Sequence, residues 1–141
     1  MAIMQWSDKW GFGLAEPDAD RRELVGLYNE IDLALKRGDS QRTLIAGLTR
    51  LLVRAESFFA EEEKFMEAAG YPLWPEHRDE HHDFLQRMRN FESALIEGRL
   101  AIDLPVLQFL RHWLTGHLDE SDGAFGRFLA RNPEALVAVT I

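Results

Sequence analysis

Five polar residues fall in phase with apolar helical stripes in this sequence: Glu62, His77, His81, His117 and Asp122. All five types can ligate a metal ion, and with no cysteine in the chain any such site is built from nitrogen and oxygen donors. Counting from Glu62 by threes and fours reaches Leu44, Leu48, Leu51, Ala55 and Phe58 on one side, then Phe65 or Met66 and Ala69 on the other, so this carboxylate points at a core. A buried carboxylate needs a cation, a cluster of donors or a proton. His77 and His81 are spaced i, i+4, which puts both imidazoles on one helix face within reach of a single ion. His117 and Asp122 are five apart, which separates them by about 140° on a regular helix, so their convergence requires a bend or a wide site. The flanking Glu61 and Glu63 read as solvated, and His82 and His112 as facing solvent or the margin. No nucleophile paired with a base and no phosphate-binding loop is visible, so no catalysis is assigned and a non-enzymatic protein is expected.

The chain of 141 residues is read as one domain, 1–141. Its net charge of -8 disfavours nucleic-acid phosphates and anionic membrane surfaces as partners. The start "MAIMQWSDKW" lacks a basic segment followed by an apolar run, so no signal peptide is expected. No apolar stretch approaches the ~20 residues that span a bilayer. A soluble cytoplasmic protein is the expectation.

Four periodic segments must position the polar residues. The first starts near Asp18 or Asp20, carries Leu24, Tyr28, Ile31 and Leu35, and stops at Gly38. The second runs from about Ser40 to Ala69 and ends at Gly70. The third starts after Pro75 and ends near Gly98, with Trp74, His77, His81, Phe84, Met88, Phe91 and Leu95 as its stripe. The fourth starts near Asp103 and Pro105, carries Val106, Leu110, Trp113 or Leu114, and His117, and continues or bends through Asp122 and Phe125 to Leu129. An aromatic arm with Trp6, Trp10 and Phe12 precedes them, and "PEALVAVTI" follows as a short helix or extended tail. The expected fold is all-α, an antiparallel up-down four-helix bundle with an N-terminal aromatic arm and a short C-terminal extension.

These segments resemble the hemerythrin family, particularly its bacterial single-domain members, over nearly the whole chain. Trp6 followed by "FGLAEPDAD" is similar to the family's aromatic arm and lead-in to the first helix. "FFAEEEKFMEAAGYP" resembles the family's His-Phe-x-x-Glu-Glu-x-x-Met followed by Gly-Tyr-Pro, "HRDEH" its His-x-x-x-His, and "WLTGHLDESD" its Trp-Leu-x-x-His-x-x-x-x-Asp. In that family five histidines and two bridging carboxylates hold two irons, and oxygen binds at the iron with two histidines. The resemblance assigns His77, His81 and His117 to the first iron and Glu62 and Asp122 to the bridges. It places Arg21 and Phe58 where the family has the two histidines of the oxygen-binding iron. Phenylalanine fills the volume of an imidazole, and an inward Arg21 would present its permanent charge and fork of donors to Glu62, Asp122 or both; the alternative is that Arg21 swings out to solvent.

The resulting expectation is a hemerythrin-like metal-binding protein with an incomplete two-iron site, holding one ion, iron or zinc, for sensing, storage or small-ligand binding. Its partners would be the metal ion and dioxygen or another small ligand. The alternatives are reversible oxygen binding at a two-iron centre, with Asp20 or Glu23 as substitute ligand, and a metal-free bundle that binds a regulatory partner.

Overall fold

Glycines set the helix ends. Gly38, Gly70 and Gly98 each take a positive φ, of 77°, 71° and 77°, a conformation open to glycine at little cost, and each follows a long helix. The computed structural model describes residues 3–140, with side chains through residue 137. Its long helices are α1 (Ala15–Lys36), α2 (Gln41–Ala68), α3 (Trp74–Ile96) and α4 (Leu104–Gly116). A π-helical turn (His117–Asp122) joins α4 to α5 (Gly123–Arg131), and α6 (Pro133–Thr140) completes the described chain. The expected all-α bundle is the observed fold, with the short connections reversing the chain between successive helices. The tail "PEALVAVTI" is helical through Thr140; Ile141 lies outside the described residues.

Helix starts follow capping chemistry at α2 and α4, while α3 begins at Trp74, ahead of Pro75 instead of after it, with no side-chain cap. Ser40 accepts the amide of Thr43, and the Asp103 side chain accepts that of Val106 at 3.1 Å. The expectation for α1 is corrected: the helix begins at Ala15, and neither Asp18 nor Asp20 caps it. Asp18 instead accepts the amides of Phe12 at 2.8 Å and Gly13 at 3.2 Å, tying the arm to the helix. The expected inward face of α4 holds at Leu110, Leu114 and His117, all buried, and differs at its start, where Leu107 is buried and Val106 only half-buried; of the two alternatives at the third position Leu114 is buried and Trp113 half-buried.

The main core fills the space between α1, α2, α3 and α4 with residues such as Tyr28, Leu44, Leu51, Phe59, Phe84 and Leu110. A second apolar cluster, including Phe12, Met66, Tyr71, Phe125 and Leu129, closes the end where the arm crosses α5. Between the two lie the buried polar residues of the candidate site. Away from it, Asp32 on α1 is wholly buried and pairs with Lys36 at 2.8 Å; sequence phase had not singled it out.

Gly126 on α5 admits the arm: a Cβ there would lie 2.7 Å from the Gly11 carbonyl oxygen, closer than packed atoms tolerate. Gly126→Ala must therefore push the arm away. We expect about 1–3 kcal/mol of destabilisation and a shift in tryptophan emission, since Trp10 lies on the displaced segment. Gly26→Ala, at an exposed mid-helix position with open space, should stabilise by about 0.5–1 kcal/mol. Thermal unfolding of the two variants measures the contrast.

Candidate metal centre

Three elements deliver the five polar residues: α2 carries Glu62, α3 carries His77 and His81, and the π turn carries His117 and Asp122. All five are buried. The π turn resolves the spacing problem at His117 and Asp122. Its i→i+5 bonding brings residues five apart nearly one above the other, so both side chains project into the core. One donor atom from each of the five residues can be chosen so that all lie within 4.8 Å of one another.

The separations are those of ligands around a common centre. His77 Nε2 lies 3.2 Å from Glu62 Oε1 and 3.1 Å from Asp122 Oδ1, and His117 Nε2 lies 3.2 Å from the same Asp122 oxygen. His81 Nε2 is 3.0 Å from His117 Nε2 and 3.7 Å from Glu62 Oε1. Donors at about 2.1 Å from one ion and at right angles to each other sit about 3.0 Å apart.

The other ring nitrogens are held from behind. His81 Nδ1 donates to Glu63 at 2.9 Å and His117 Nδ1 donates to Glu80 at 3.0 Å. A carboxylate only accepts, so each Nδ1 carries the hydrogen and a neutral ring turns its Nε2 lone pair toward the centre. Two lone pairs facing each other at 3.0 Å need a proton or a cation between them. Asp122 Oδ1, which faces the imidazoles, is buried without a hydrogen-bond partner, which also fits a cation at this place; the other such oxygen, Glu62 Oε2, faces Arg21. Phe59 stacks on the His81 ring at 3.9 Å and Trp113 on the His117 ring at 4.6 Å, fixing both imidazoles.

Glu63 corrects the sequence reading, since it is half-buried and bonded to His81 rather than solvated. Glu80 was not singled out at all. Both lie outside the apolar stripes and act on a histidine from the side away from the core; only their adjacency to Glu62 and His81 in sequence hinted at it. Glu61, His82 and His112 are exposed, as expected.

On the far side of the two carboxylates lies Arg21, which is 1% exposed and so points inward. Its Nη1 donates to the Trp10 carbonyl at 2.6 Å and lies 3.5 Å from Asp122 Oδ2, while Nε lies 4.0 Å from Glu62 Oε2. Asp18 takes Nη2, and the Phe12 ring lies 3.5 Å below the guanidinium carbon. Arg21 thus faces both carboxylates. Phe58 is buried, with the Arg54 guanidinium over its ring and Glu62 lining the same small gap. Glu23, considered as a substitute ligand, pairs with Arg54 at 2.7 Å on the surface.

Protons occupy the donor cluster when no ion is present. Burial opposes charging of His77, but Asp122 and Glu62 outweigh it and raise its pKa to about 9. At His117 burial is again overcome, by Asp122 and Glu80, and the pKa rises to about 10. Burial and the two neighbouring imidazoliums hold His81 well below the usual histidine value. Burial and the nearby Asp122 raise Glu62, whereas His117, His77 and Arg21 overcome burial to keep Asp122 well below the usual carboxylate range. His117 in its charged form therefore donates Nε2–H to neutral His81.

Raised folded-state values mean that charged His77 and His117 stabilise the metal-free fold fully below an ordinary histidine pKa of 6.5, and that this contribution is lost as pH rises through about 9 and 10. Metal-free protein should show a falling melting temperature between pH 7 and pH 10, measured by calorimetry in chelator. A melting temperature that is flat or rising over that range contradicts the assignment.

Comparison with known proteins identifies the family and the fold. A sequence profile described as the hemerythrin HHE cation binding domain matches residues 14–129. The chain is 30% identical over 136 residues to a bacteriohemerythrin of Ralstonia nicotianae, covering 96% of each. It is 28% identical over 126 residues to a bacteriohemerythrin of Stenotrophomonas maltophilia, covering 89% of this chain and 80% of that one. Among solved structures, wild-type hemerythrin superposes with a TM-score of 0.81 at 21% identity, over 89% of this chain and 97% of that one, a likeness of fold. Profile, relatives and helical architecture agree along most of the sequence, and the chain belongs to the hemerythrin family.

Proposed function

We propose that this protein is a non-enzymatic metal-binding bundle that holds one ion through His77, His81, His117, Glu62 and Asp122. The observation that carries this reading is the division of the two carboxylates. Glu62 Oε1 and Asp122 Oδ1 face the three imidazoles, while Oε2 and Oδ2 of the same groups face the buried guanidinium of Arg21. One metal and one arginine then satisfy charges that two metals would otherwise share. Phe58 adds no ligand on the Arg21 side. Five nitrogen and oxygen donors exceed the four that structural zinc takes and suit ferrous iron, so iron is the preferred occupant and zinc the second. When bound, the ion supplies a Lewis-acidic position for a small ligand. Burial of the donors under Phe59 and Trp113 supports storage, sensing or binding of a small molecule such as dioxygen, in preference to turnover of a larger substrate.

Arg21 pairing with both carboxylates also favours a second reading, a metal-free bundle serving a partner. A melting temperature indifferent to chelator and to added ferrous iron would select it.

Metal analysis of protein isolated without added metal should give one ion per chain, and two irons, or no uptake of any first-row divalent ion, would overturn the proposal. The Arg21→His/Phe58→His double variant should bind two. Binding at neutral pH displaces protons from His77 and His117, so apparent affinity should rise on the order of a hundredfold per pH unit from pH 6 to 8, read by competition with a chromogenic chelator.

A further inference from the structure

The buried donor set must be filled from solution, and its walls differ. His81 and Asp122 are 0% exposed and Glu62 2%, whereas His77 retains 3% and His117 6%. The Phe59 ring covers His81, Arg21 under the arm's Phe12 covers the carboxylates, and Phe58 lies beside Glu62. The remaining exposure coincides with two surface clefts, of about 200 Å³ and 270 Å³. One reaches His77 and the other His117. They share Glu80, Glu120 and Ser121, so they flank a single partition between α3 and the π turn. The partition is the Glu80 side chain, 48% exposed, which accepts from Ser121 Oγ at 2.6 Å and from His117 Nδ1 at 3.0 Å. Glu76 extends the acidic lining outward on one side and Asp83 on the other.

From this geometry we infer that divalent cations reach the centre between α3 and the π turn, drawn in by Glu76 and Glu120 and passed by Glu80 along the edge of the His117 ring to the donors behind it. The inference rests on the one-ion reading above. Clefts lined by one sign of charge concentrate counter-ions and raise association rates, with a dependence on salt that fades when the charges go. Glu80 is placed to exchange its bond to Ser121 for an arriving hydrated ion while remaining against His117. Its carboxylate is then the first protein ligand the cation meets, and the donors behind it replace the remaining waters. Ser121 is the latch: breaking its bond frees Glu80 to swing.

The test is stopped-flow loading of chelator-stripped full-length protein with ferrous iron under anaerobic conditions, with cobalt(II) as a second probe. Glu76→Gln/Glu120→Gln, which changes no metal donor, should load at least fivefold more slowly at low salt, lose most of the salt dependence, and still bind one ion per chain. Ser121→Ala should speed both loading and release, leaving the equilibrium constant within a factor of two. Glu23→Gln/Glu61→Gln, on the Phe58 side, should load at the wild-type rate. Wild-type loading by Glu76→Gln/Glu120→Gln with normal stoichiometry overturns the route alone, as does slowed loading confined to Glu23→Gln/Glu61→Gln. A wild-type protein that takes up no ion overturns the one-ion reading and the route with it.

Discussion

Two carboxylates in the core of a helical bundle impose the constraint from which the rest of this structure follows. Glu62 and Asp122 are buried at a depth where an isolated charge is prohibitively costly. The bundle answers with positive groups on both sides: three imidazoles from α3 and the π turn on one, and the guanidinium of Arg21 on the other. The arm is part of the same answer. Its Trp10 carbonyl and Phe12 ring hold Arg21 in place, and Asp18 binds both the arm amides and the guanidinium. Arm, first helix and metal-facing carboxylates therefore form one connected polar unit inside an otherwise apolar core.

That unit is satisfied in two protonation states. Without an ion, His77 and His117 carry the positive charge and neutral His81 accepts from His117. With a divalent ion, all three rings are neutral and the ion carries a similar charge, so the fold need not rearrange to load. Glu63 and Glu80 keep the rings oriented in both states, because each bonds an Nδ1 hydrogen that neither state removes.

Much of this was legible in the sequence, for a physical reason. The second and third helices are regular, so phase alone sent Glu62, His77 and His81 inward; for Arg21, on the stripe of Leu24 and Tyr28, phase left an inward and a solvent-facing position open, and the structure places it inward. The pairing of His117 with Asp122 was legible only through the resemblance, because regular helix phase sets them about 140° apart and the π turn that brings them together is not visible in helix periodicity. Glu63 and Glu80 escaped because a residue that supports a histidine from behind need not lie on the apolar stripe. The start of α1 was misplaced because Asp18 looks like a cap, yet its oxygens serve the arm and Arg21. The Trp10 carbonyl is a backbone group, which side-chain patterns do not reveal.

The central claim is that one metal ion and one arginine share the two carboxylates. X-ray absorption at the metal edge of the native protein reads this directly. The account predicts five or six nitrogen and oxygen neighbours, with the outer-shell pattern of about three imidazoles, and no heavy scatterer. A metal neighbour at about 3.5–4 Å, the separation of paired catalytic ions, would contradict it.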